Sequence, residues 1–437
     1  MPEKKKLSLH VKIFIGLLSG LLLGLAGKFL LPPVVLGWIV ANVARLIGQA
    51  FLKMIFCAVV PLAVAAVALG VSNMGATTRV GRITVKALAF TVLFSGTAVI
   101  IGIAGVNIAG PGRGVSVQQR EAMMVNLQSS SIMGEVKAVS PHRESFADTL
   151  VGLLPKNPFN EATNAFTGGL IPLLVFSIIM GLAMNAVGPE KSAPLKALLE
   201  SVFAVMLKII GFAMKFAPYG IAGLLFAATA GAGFDAISML IKYFLLVVAC
   251  LAIHMFGFYS LALKVFTRRS PLVFFRACTE VIVTAFATSS SSATLPVALK
   301  TATDKLRVPP QIAQFIVTLG ATTNHNGTAL YEGVTVLFLA QLFGVALSLG
   351  QQFFVVGMCI MASIGTAGVP GGSLPFLVVV LQYIGVPLEG IGLIMGLDRV
   401  LDMCRTVINV VGDLAVAVCL TDTEKDLPAP VSVSGGA

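Results

Sequence analysis

The polar residues of the last hydrophobic segment carry the clearest chemical signal in this sequence. Their positions are offset by 0, +4, +7, +8, +11 and +15, which places all of them within an arc of about 100° on a helix. Charged residues inside an apolar membrane segment are costly and by default mark a substrate or ion pathway. Three acids against one base favour cations, and the arginine favours an anionic group. The stripe comprises Asp398, Asp402, Arg405, Thr406, Asn409 and Asp413.

The composition places this stripe in a polytopic membrane protein. The 437 residues are 57% hydrophobic and 11% charged, and the mean hydropathy is +0.95. About eight spans of about 20 residues fit this length. The net charge of +11 comes from bases in short loops, which is typical of membrane proteins and does not indicate a nucleic-acid-binding surface. The six cysteines form no CxxC pair, so we expect reduced packing residues and no metal site.

Basic residues mark alternate loops between the apolar runs. They are frequent at the N-terminus and in four later loops, and nearly absent from 32–40, 219–235 and 341–350. Because cytoplasmic loops carry the excess of Lys and Arg, we expect both termini in the cytoplasm and the chain in the inner (plasma) membrane. The first six predicted spans cover residues 10–31, 40–71, 84–109, 150–187, 197–218 and 235–266.

The C-terminal third departs from a simple alternation of spans. The apolar run 272–304 has basic residues at both ends, and two flanks of the same kind cannot end a single crossing. We therefore expect a re-entrant helical hairpin, and a second one over 350–384 that enters from the opposite side. Irregular backbone at membrane depth is tolerated only where it lines a cavity or is buried in protein. Two hairpin-plus-span units, 272–341 and 350–420, indicate the inverted repeats of a secondary transporter.

Four ordered motifs resemble those of the glutamate/aspartate transporter family, the dicarboxylate/amino acid:cation symporters. They are Ser289–Pro296, Asn324–Thr328, the glycine-rich tip 363–373 and Asp402–Asp413, and the match runs over nearly the whole chain, including Asn157-Pro-Phe159. The resemblance implies an all-α polytopic membrane protein with eight transmembrane helices plus two re-entrant helical hairpins. It also implies a secondary active symporter that imports aspartate or glutamate by elevator-type alternating access.

The same resemblance implies two functional units and a homotrimer in the lipid bilayer. A trimerisation scaffold would hold spans 1, 2, 4 and 5, and a moving transport domain would hold span 3 together with span 6 and everything after it. The scaffold covers 1–78 and 147–232, the transport domain covers 79–110 and 233–420, and an exposed loop (111–146) and a cytoplasmic tail (421–437) complete the chain.

Substrate contacts are implied residue by residue. Arg405 matches the arginine that binds the substrate's side-chain carboxylate, a bidentate task suited to a guanidinium. Asp402 matches the aspartate that takes the amino group. Members that transport plain C4-dicarboxylates lack that acid and neutral-amino-acid members lack that arginine, so this pair favours an acidic amino acid. The remaining expected contacts are Ser290, Ser291, Thr328, Gly368, Val369, Gly372, Thr406 and Asn409.

Two of the family's sodium sites also have counterparts here, so the expected coupling ions are Na⁺, H⁺ or both, with no other cofactor. Their ligands are hard oxygens, mostly backbone carbonyls, of the kind that suits sodium. The first site would use Gly320, Asn324, Asn409 and Asp413, and the second would use Thr322, Ser363, Ile364 and Thr366.

The third sodium site of the family is where this sequence departs from the pattern. The family motif Asn-Met-Asp-Gly-Thr reads Asn324-His325-Asn326-Gly327-Thr328, so an amide replaces the carboxylate. The partners on span 3, normally a tyrosine and a Thr-Ser pair, align with Thr91 and Phe94-Ser95. A phenyl ring cannot ligate sodium, and we expect this site to be lost or severely weakened.

Glu332 and His325 are the candidates for carrying a proton. Glu332 occupies the position where proton-carrying members have a glutamate, and His325 places a titratable group beside the second sodium site. A carboxyl group within a membrane span is costly to ionise, so it suits proton binding and release. We therefore expect coupling to fewer sodium ions, with protons moving on one of these residues.

Three alternatives are weighed against this function. A C4-dicarboxylate or another amino acid stays open as the substrate. An anion channel would show a pore lined by basic rings and uncoupled flux. An embedded hydrolase would need a base near the serine run, and no Gly-x-Ser-x-Gly motif or His/Lys dyad accompanies it, so we do not expect an enzyme.

Overall fold

The computed structural model describes residues 9–75, 81–113, 154–165, 170–365 and 373–424. Within these ranges the regular secondary structure is entirely helical. The first helices are α1 (Leu9–Leu30), α2 (Pro33–Ile39), α3 (Arg45–Gly75), α4 (Gly81–Ala109), α5 (Pro158–Thr163), α6 (Leu170–Val187) and α7 (Pro189–Ala232). The later helices are α8 (Phe234–Ala252), α9 (Tyr259–Phe266), α10 (Pro271–Ala277), α11 (Thr279–Thr288), α12 (Ser291–Lys300), α13 (Pro310–Thr323), α14 (Asn326–Phe343), α15 (Leu349–Gly365), α16 (Leu374–Tyr383) and α17 (Ile391–Thr423).

The described helices confirm a multi-pass membrane protein. Six of these helical segments are long and apolar enough to cross a membrane, and a seventh qualifies if α10 and α11, which are bent by 52° at their junction, count as one span. Wider π-helical turns at Val40–Ala44 and Ile253–Phe258 join α2 to α3 and α8 to α9 without a break. The six segments are Val11–Leu30, Pro33–Ser72, Val85–Ala109, Pro189–Gly231, Ile237–Phe266 and Ile391–Thr423.

Helix α7 is longer than the sequence predicts. The sequence ends span 5 near residue 218 and begins a loop at 219, but α7 continues through Pro218 to Ala232. The extension packs on α1, where Gly16 and Gly20 bring the two backbones together over the carbonyls of Pro218 and Ala222. Small residues that permit such close approach stabilise helix pairs in membranes. This packing holds the helix beyond the proline.

The predicted tip of the first hairpin contains a sharp break between α11 and α12. Ser289 adopts a left-handed conformation, with φ 49° and ψ 36°, and ends α11. Ser290 then caps α12, because its hydroxyl oxygen accepts a hydrogen bond from the Ala293 N–H at 3.2 Å. The two short helices contact each other, and both contact α17. The serine run is therefore a helix break beside the polar stripe.

A second break interrupts the predicted span 7. Helix α13 ends at Thr323, the residues Asn324 and His325 are not helical, and α14 begins at Asn326. The sequence predicts an interruption at this polar stretch, and the structure confirms it. The predicted tip of the second hairpin is described only at its two ends, α15 and Ser373, because residues 366–372 lie outside the described ranges.

Helix α17 is the central element of the fold. Its span is 89% buried, whereas the other five spans are between 22% and 50% buried. It contacts α4, α8, α9 and the helices on both sides of the two breaks. A helix that is buried on all sides can carry polar residues only where other parts of the protein satisfy them. The polar stripe therefore has its partners inside the protein.

Candidate functional site

The charged residues at the start of the stripe pair with one another. Arg405 Nε donates a hydrogen bond to Asp402 Oδ1 at 2.9 Å, and its Nη1 lies 3.4 Å from Asp398 Oδ1. Arg399 Nη1 lies 3.5 Å from the other Asp402 oxygen. All four residues are at most 7% exposed. Arg399, which the sequence places outside the stripe, therefore supplies the second positive charge that balances the two acids.

The ring of Tyr331, in α14, packs against the guanidinium of Arg405. The centre of its ring lies 4.5 Å from Arg405 Cζ, a distance at which a guanidinium is attracted to the face of an aromatic ring. Tyr331 is completely buried. Sequence reasoning did not select this residue, although it follows Thr328 by one helical turn and so shares its face. A flat, apolar support holds the arginine in one orientation.

Asn409 ties α17 to the first turn of α14. Its Oδ1 accepts hydrogen bonds from the N–H groups of Gly327 (2.8 Å) and Thr328 (3.3 Å), and its Nδ2 donates to Thr328 Oγ1 at 3.1 Å. The first N–H groups of a helix have no partner inside it, so Asn409 caps α14 from a neighbouring helix. Thr406 donates its hydroxyl proton to the Asp402 carbonyl at 2.7 Å. The structure thus brings together Thr328 and Asn409, both predicted substrate contacts.

Gly320, Asn324 and Asp413 form a compact group that we name the Asp413 cluster. Asn324 Nδ2 donates to Asp413 Oδ1 at 2.8 Å. The carboxyl group lies directly against Gly320, where a Cβ would overlap it. The other oxygens, Asp413 Oδ2 and Asn324 Oδ1, are buried and accept no hydrogen bond within the described ranges. The cluster therefore presents oxygen lone pairs to a cation, while Asn409, the fourth predicted ligand, bonds to α14.

The predicted second sodium site is described in part. The carbonyl of Ser363, one of its expected ligands, accepts a hydrogen bond from His325 Nδ1 at 3.1 Å. This contact places His325 next to Ser363. Thr322 and Ile364 lie near the ends of α13 and α15. Thr366 and the expected substrate contacts Gly368, Val369 and Gly372 lie outside the described residues.

Asn326, which the sequence aligns with the family's third sodium motif, contacts a tyrosine that sequence reasoning did not select. The Tyr259 hydroxyl, from α9, lies 3.0 Å from Asn326 Oδ1 and 2.9 Å from the Ile408 carbonyl oxygen, and these two acceptors share its one proton. Phe94 stacks on the Tyr259 ring with 5.3 Å between the ring centres. Ser95 and Thr91 are also buried in α4. No sequence signal distinguishes Tyr259, because the same span also contains Tyr243, His254 and Ser260.

Glu332, in α14, is one of the two residues that the sequence proposes as a proton carrier. Its side chain is completely buried, and neither carboxyl oxygen has a hydrogen-bond partner in the part of the chain that the structure describes. An ionised carboxylate in that setting would be costly.

Of the first hairpin's predicted contacts, Ser290 caps α12 and Ser291 is buried in its first turn.

Comparison with known proteins gives one consistent family. The chain matches the sodium:dicarboxylate symporter family over residues 9–423. It is 31% identical over 425 residues to the proton/sodium-glutamate symport protein of Bacillus subtilis (strain 168), covering 97% of this chain and 94% of that protein. It is 30% identical over 418 residues to the proton/glutamate-aspartate symporter of Escherichia coli (strain K12), with 94% and 92% covered. It is 29% identical over 420 residues to the C4-dicarboxylate transport protein of Deinococcus deserti, with 96% and 90% covered.

Proposed function

This chain belongs to the sodium:dicarboxylate symporter family and is a transporter, not an enzyme; from that premise we propose that it imports aspartate or glutamate with Na⁺, H⁺ or both. The observation that carries the proposal is the buried pair of Arg405 and Asp402, whose atoms lie 2.9 Å apart on the central helix. An acidic amino acid carries a side-chain carboxylate and an ammonium group. These two groups can form ion pairs with Arg405 and Asp402 in place of the contact that the two residues make with each other. Named relatives transport glutamate and aspartate.

Substrate binding would replace one salt bridge by two. The side-chain carboxylate takes the guanidinium of Arg405, and the amino group takes Asp402. Asp398 and Arg399 keep their positions beside this pair, 3.4 Å from Arg405 and 3.5 Å from Asp402. Breaking a buried ion pair is costly when a charge is left alone, and here none is. The other proposed contacts are Ser290, Ser291, Thr328, Thr406 and Asn409, with Gly368, Val369 and Gly372 of the second tip.

Sodium would bind as co-substrate at the Asp413 cluster and at the carbonyls near Ser363. The two unpartnered oxygens of the Asp413 cluster support the first position. The third sodium site is lost in this proposal, and a proton on Glu332 or His325 takes over part of the coupling. The burial of Glu332 without hydrogen-bond partners in the described ranges supports its role as the proton carrier.

The finer architecture is part of the same proposal. Eight transmembrane helices and two hairpins form inverted repeats, with the scaffold (1–78 and 147–232) and the transport domain (79–110 and 233–420) as separate units of a homotrimer in the inner membrane. Both termini lie in the cytoplasm. The helix breaks at Ser289 and Asn324, next to the central helix, support the hairpin arrangement.

A C4-dicarboxylate is the second candidate substrate, because one relative is named as a transporter of such compounds. That ligand would place a carboxylate where an amino acid has its ammonium group. Asp402, 5% exposed, would then face a like charge. Like charges within a buried site cost several kcal/mol, so Asp402 favours the amino acid.

Uptake of labelled aspartate by proteoliposomes tests the proposal. Sodium and pH gradients are imposed separately, and unlabelled glutamate or succinate competes. We expect accumulation against the aspartate gradient, inhibition by glutamate and weak inhibition by succinate. Arg405→Ala should lower the aspartate affinity at least about 30-fold, since truncating one partner of a buried charge pair costs about 2–5 kcal/mol.

The control is Arg276→Ala, which removes an exposed arginine from α10 and should transport normally. Normal accumulation by Arg405→Ala would refute the substrate assignment. Passive flux without accumulation in the unchanged protein would indicate a channel. Stronger inhibition by succinate than by glutamate would favour the dicarboxylate.

A further inference from the structure

A single hydroxyl group joins three helices at the position of the family's third sodium site. Tyr259 (α9), Asn326 (α14) and the Ile408 carbonyl (α17) meet there, with Phe94 (α4) above the tyrosine ring and Gly412 beside its hydroxyl. We name these residues the Tyr259 cluster. Resting on the proposed function, we propose that Tyr259 determines ion specificity, because its hydroxyl fills this position as a fixed donor and keeps sodium out.

The hydrogen bonds show how the position is filled. The Tyr259 hydroxyl lies 3.0 Å from Asn326 Oδ1 and 2.9 Å from the Ile408 carbonyl oxygen. A bound cation would bridge such oxygens from two helices by accepting their lone pairs. Here an O–H group that belongs to the chain makes the same bridge. The chain itself therefore links α14 and α17 at this point.

The amide group of Asn326 also opposes a cation. Its oxygen is engaged by Tyr259, and its Nδ2 is buried without a hydrogen-bond acceptor among the described residues. An amide nitrogen offers only donors, so the free end of this side chain repels positive charge. Asn326 itself is completely buried, which leaves no solvent to screen that repulsion.

Side chains pack closely around the Tyr259 hydroxyl. A Cβ at Gly412 would lie 2.5 Å from Asn326 Nδ2 and 2.7 Å from the Tyr259 hydroxyl oxygen. Phe94 covers the tyrosine at 5.3 Å, and the His254 ring meets its edge at 4.8 Å. The Tyr259 side chain is completely buried among them. A sodium ion could enter only if the tyrosine hydroxyl left.

The experiment compares two variants that restore a carboxylate to this position. Asn326→Asp keeps Tyr259, whose hydroxyl can donate to the new carboxylate as it does to the amide. The double variant Asn326→Asp/Tyr259→Phe removes that donor and leaves a hydroxyl-sized space beside the carboxylate and the Ile408 carbonyl. Aspartate affinity is measured on the purified full-length protein by titration calorimetry over a range of sodium concentrations. The slope of log affinity against log sodium concentration gives the number of coupled ions.

We expect Asn326→Asp to keep the slope of the unchanged protein and the double variant to raise it by about one ion. The matched control is Asn326→Asp/Tyr243→Phe. Tyr243 is another completely buried tyrosine, and its hydroxyl bonds to Thr335 at 2.8 Å. Removing that hydroxyl should leave the slope as in Asn326→Asp alone.

Two results would overturn the inference. A gain of one ion in Asn326→Asp alone would mean that the missing carboxylate, and not Tyr259, excludes sodium. An unchanged slope in a folded double variant would mean that the position takes no cation even without the hydroxyl. If the double variant does not fold, a gain of one ion in Asn326→Asp alone still overturns the inference. Absence of aspartate binding by the unchanged protein would instead refute the proposed function.

Discussion

Two places in the interior gather oxygen atoms, and their hydrogen bonding differs. In the Asp413 cluster, Asn324 donates one bond to Asp413, and one oxygen of each side chain accepts no hydrogen bond within the described ranges. In the Tyr259 cluster, the oxygens of Asn326 and Ile408 both accept from one tyrosine hydroxyl. The first place thus has oxygens without a hydrogen-bond donor in the described ranges, whereas in the second a hydroxyl proton lies between the oxygens.

This difference distinguishes the Asp413 cluster, the proposed sodium site, from the Tyr259 cluster, which we propose excludes sodium. Sodium binds oxygen lone pairs, so an oxygen-rich stretch is better suited to an ion where some of its oxygens have no internal hydrogen-bond donor. Both clusters have a glycine that admits the neighbouring polar group, Gly320 against Asp413 and Gly412 against Tyr259. The backbones provide similar room, and the donor decides what fills it.

Of the changes that test this comparison, neutralising Asp413 should have the largest effect on the sodium affinity. Asp413→Asn keeps the shape but removes the one charged ligand of its cluster. We expect the sodium affinity to fall at least about 30-fold, because a buried charged contact is worth about 2–5 kcal/mol. Sodium-dependent aspartate binding measures this loss. Asp304→Asn, at an exposed carboxylate, is the control and should bind sodium normally. An unchanged affinity in Asp413→Asn would contradict the role given to the free lone pairs.

Adding one methyl group to each cluster should separate their roles. Gly320→Ala would push the Asp413 carboxylate aside, and we expect a sodium affinity lower by about tenfold, from overpacking worth about 1–3 kcal/mol. Gly412→Ala would displace Tyr259 and Asn326, which should lower the melting temperature while the number of coupled ions stays the same. Sodium titrations and thermal unfolding read out the two effects.

The control for both is Gly211→Ala in α7, where no atom lies within 4 Å of an added Cβ. It should change neither the sodium affinity nor the number of coupled ions. A reduced number of coupled ions in Gly412→Ala would show that the Tyr259 cluster does bind sodium. That result would remove the distinction between the two places.

Replacing Glu332 should have the smallest effect on sodium and the clearest effect on protons. Glu332→Gln keeps the size of the side chain and removes its titratable proton. We expect uptake to lose its response to an imposed pH gradient, while sodium-driven uptake stays within about a factor of ten. Glu280→Gln is the control, because Glu280 is exposed and pairs with Lys305 at 3.1 Å. A pH response that persists in Glu332→Gln but disappears in His325→Gln would assign the proton to His325.

The helix breaks and the polar stripe can be predicted from the sequence because both depend on the types of residues that are close together in the chain. A serine run and the stretch from Asn324 to Thr328 interrupt apolar segments, and the structure places helix ends at Ser289 and at Asn324. The positions of Asp402 and Arg405 on one helix face follow from the helical period. Their mutual contact at 2.9 Å agrees with that prediction.

Contacts between helices could not be predicted in the same way. Whether Tyr259 meets Asn326, or Tyr331 meets Arg405, depends on the depth and rotation of helices that are far apart in the sequence. The length of α7 cannot be predicted for a similar reason. Pro218 suggests a helix end, and only the packing on Gly16 shows that the helix continues. These features depend on tertiary packing, to which single-sequence patterns are blind.

The number of sodium ions that accompany each aspartate tests the central claim most directly. Labelled sodium and labelled aspartate are followed together in proteoliposomes at fixed pH, and the ratio of their initial fluxes is measured. The unpartnered oxygens of the Asp413 cluster and the proposed second site near Ser363, together with a closed Tyr259 cluster, predict about two sodium ions per aspartate. A ratio of about three would contradict the account, because it would require a sodium ion where the Tyr259 hydroxyl now lies.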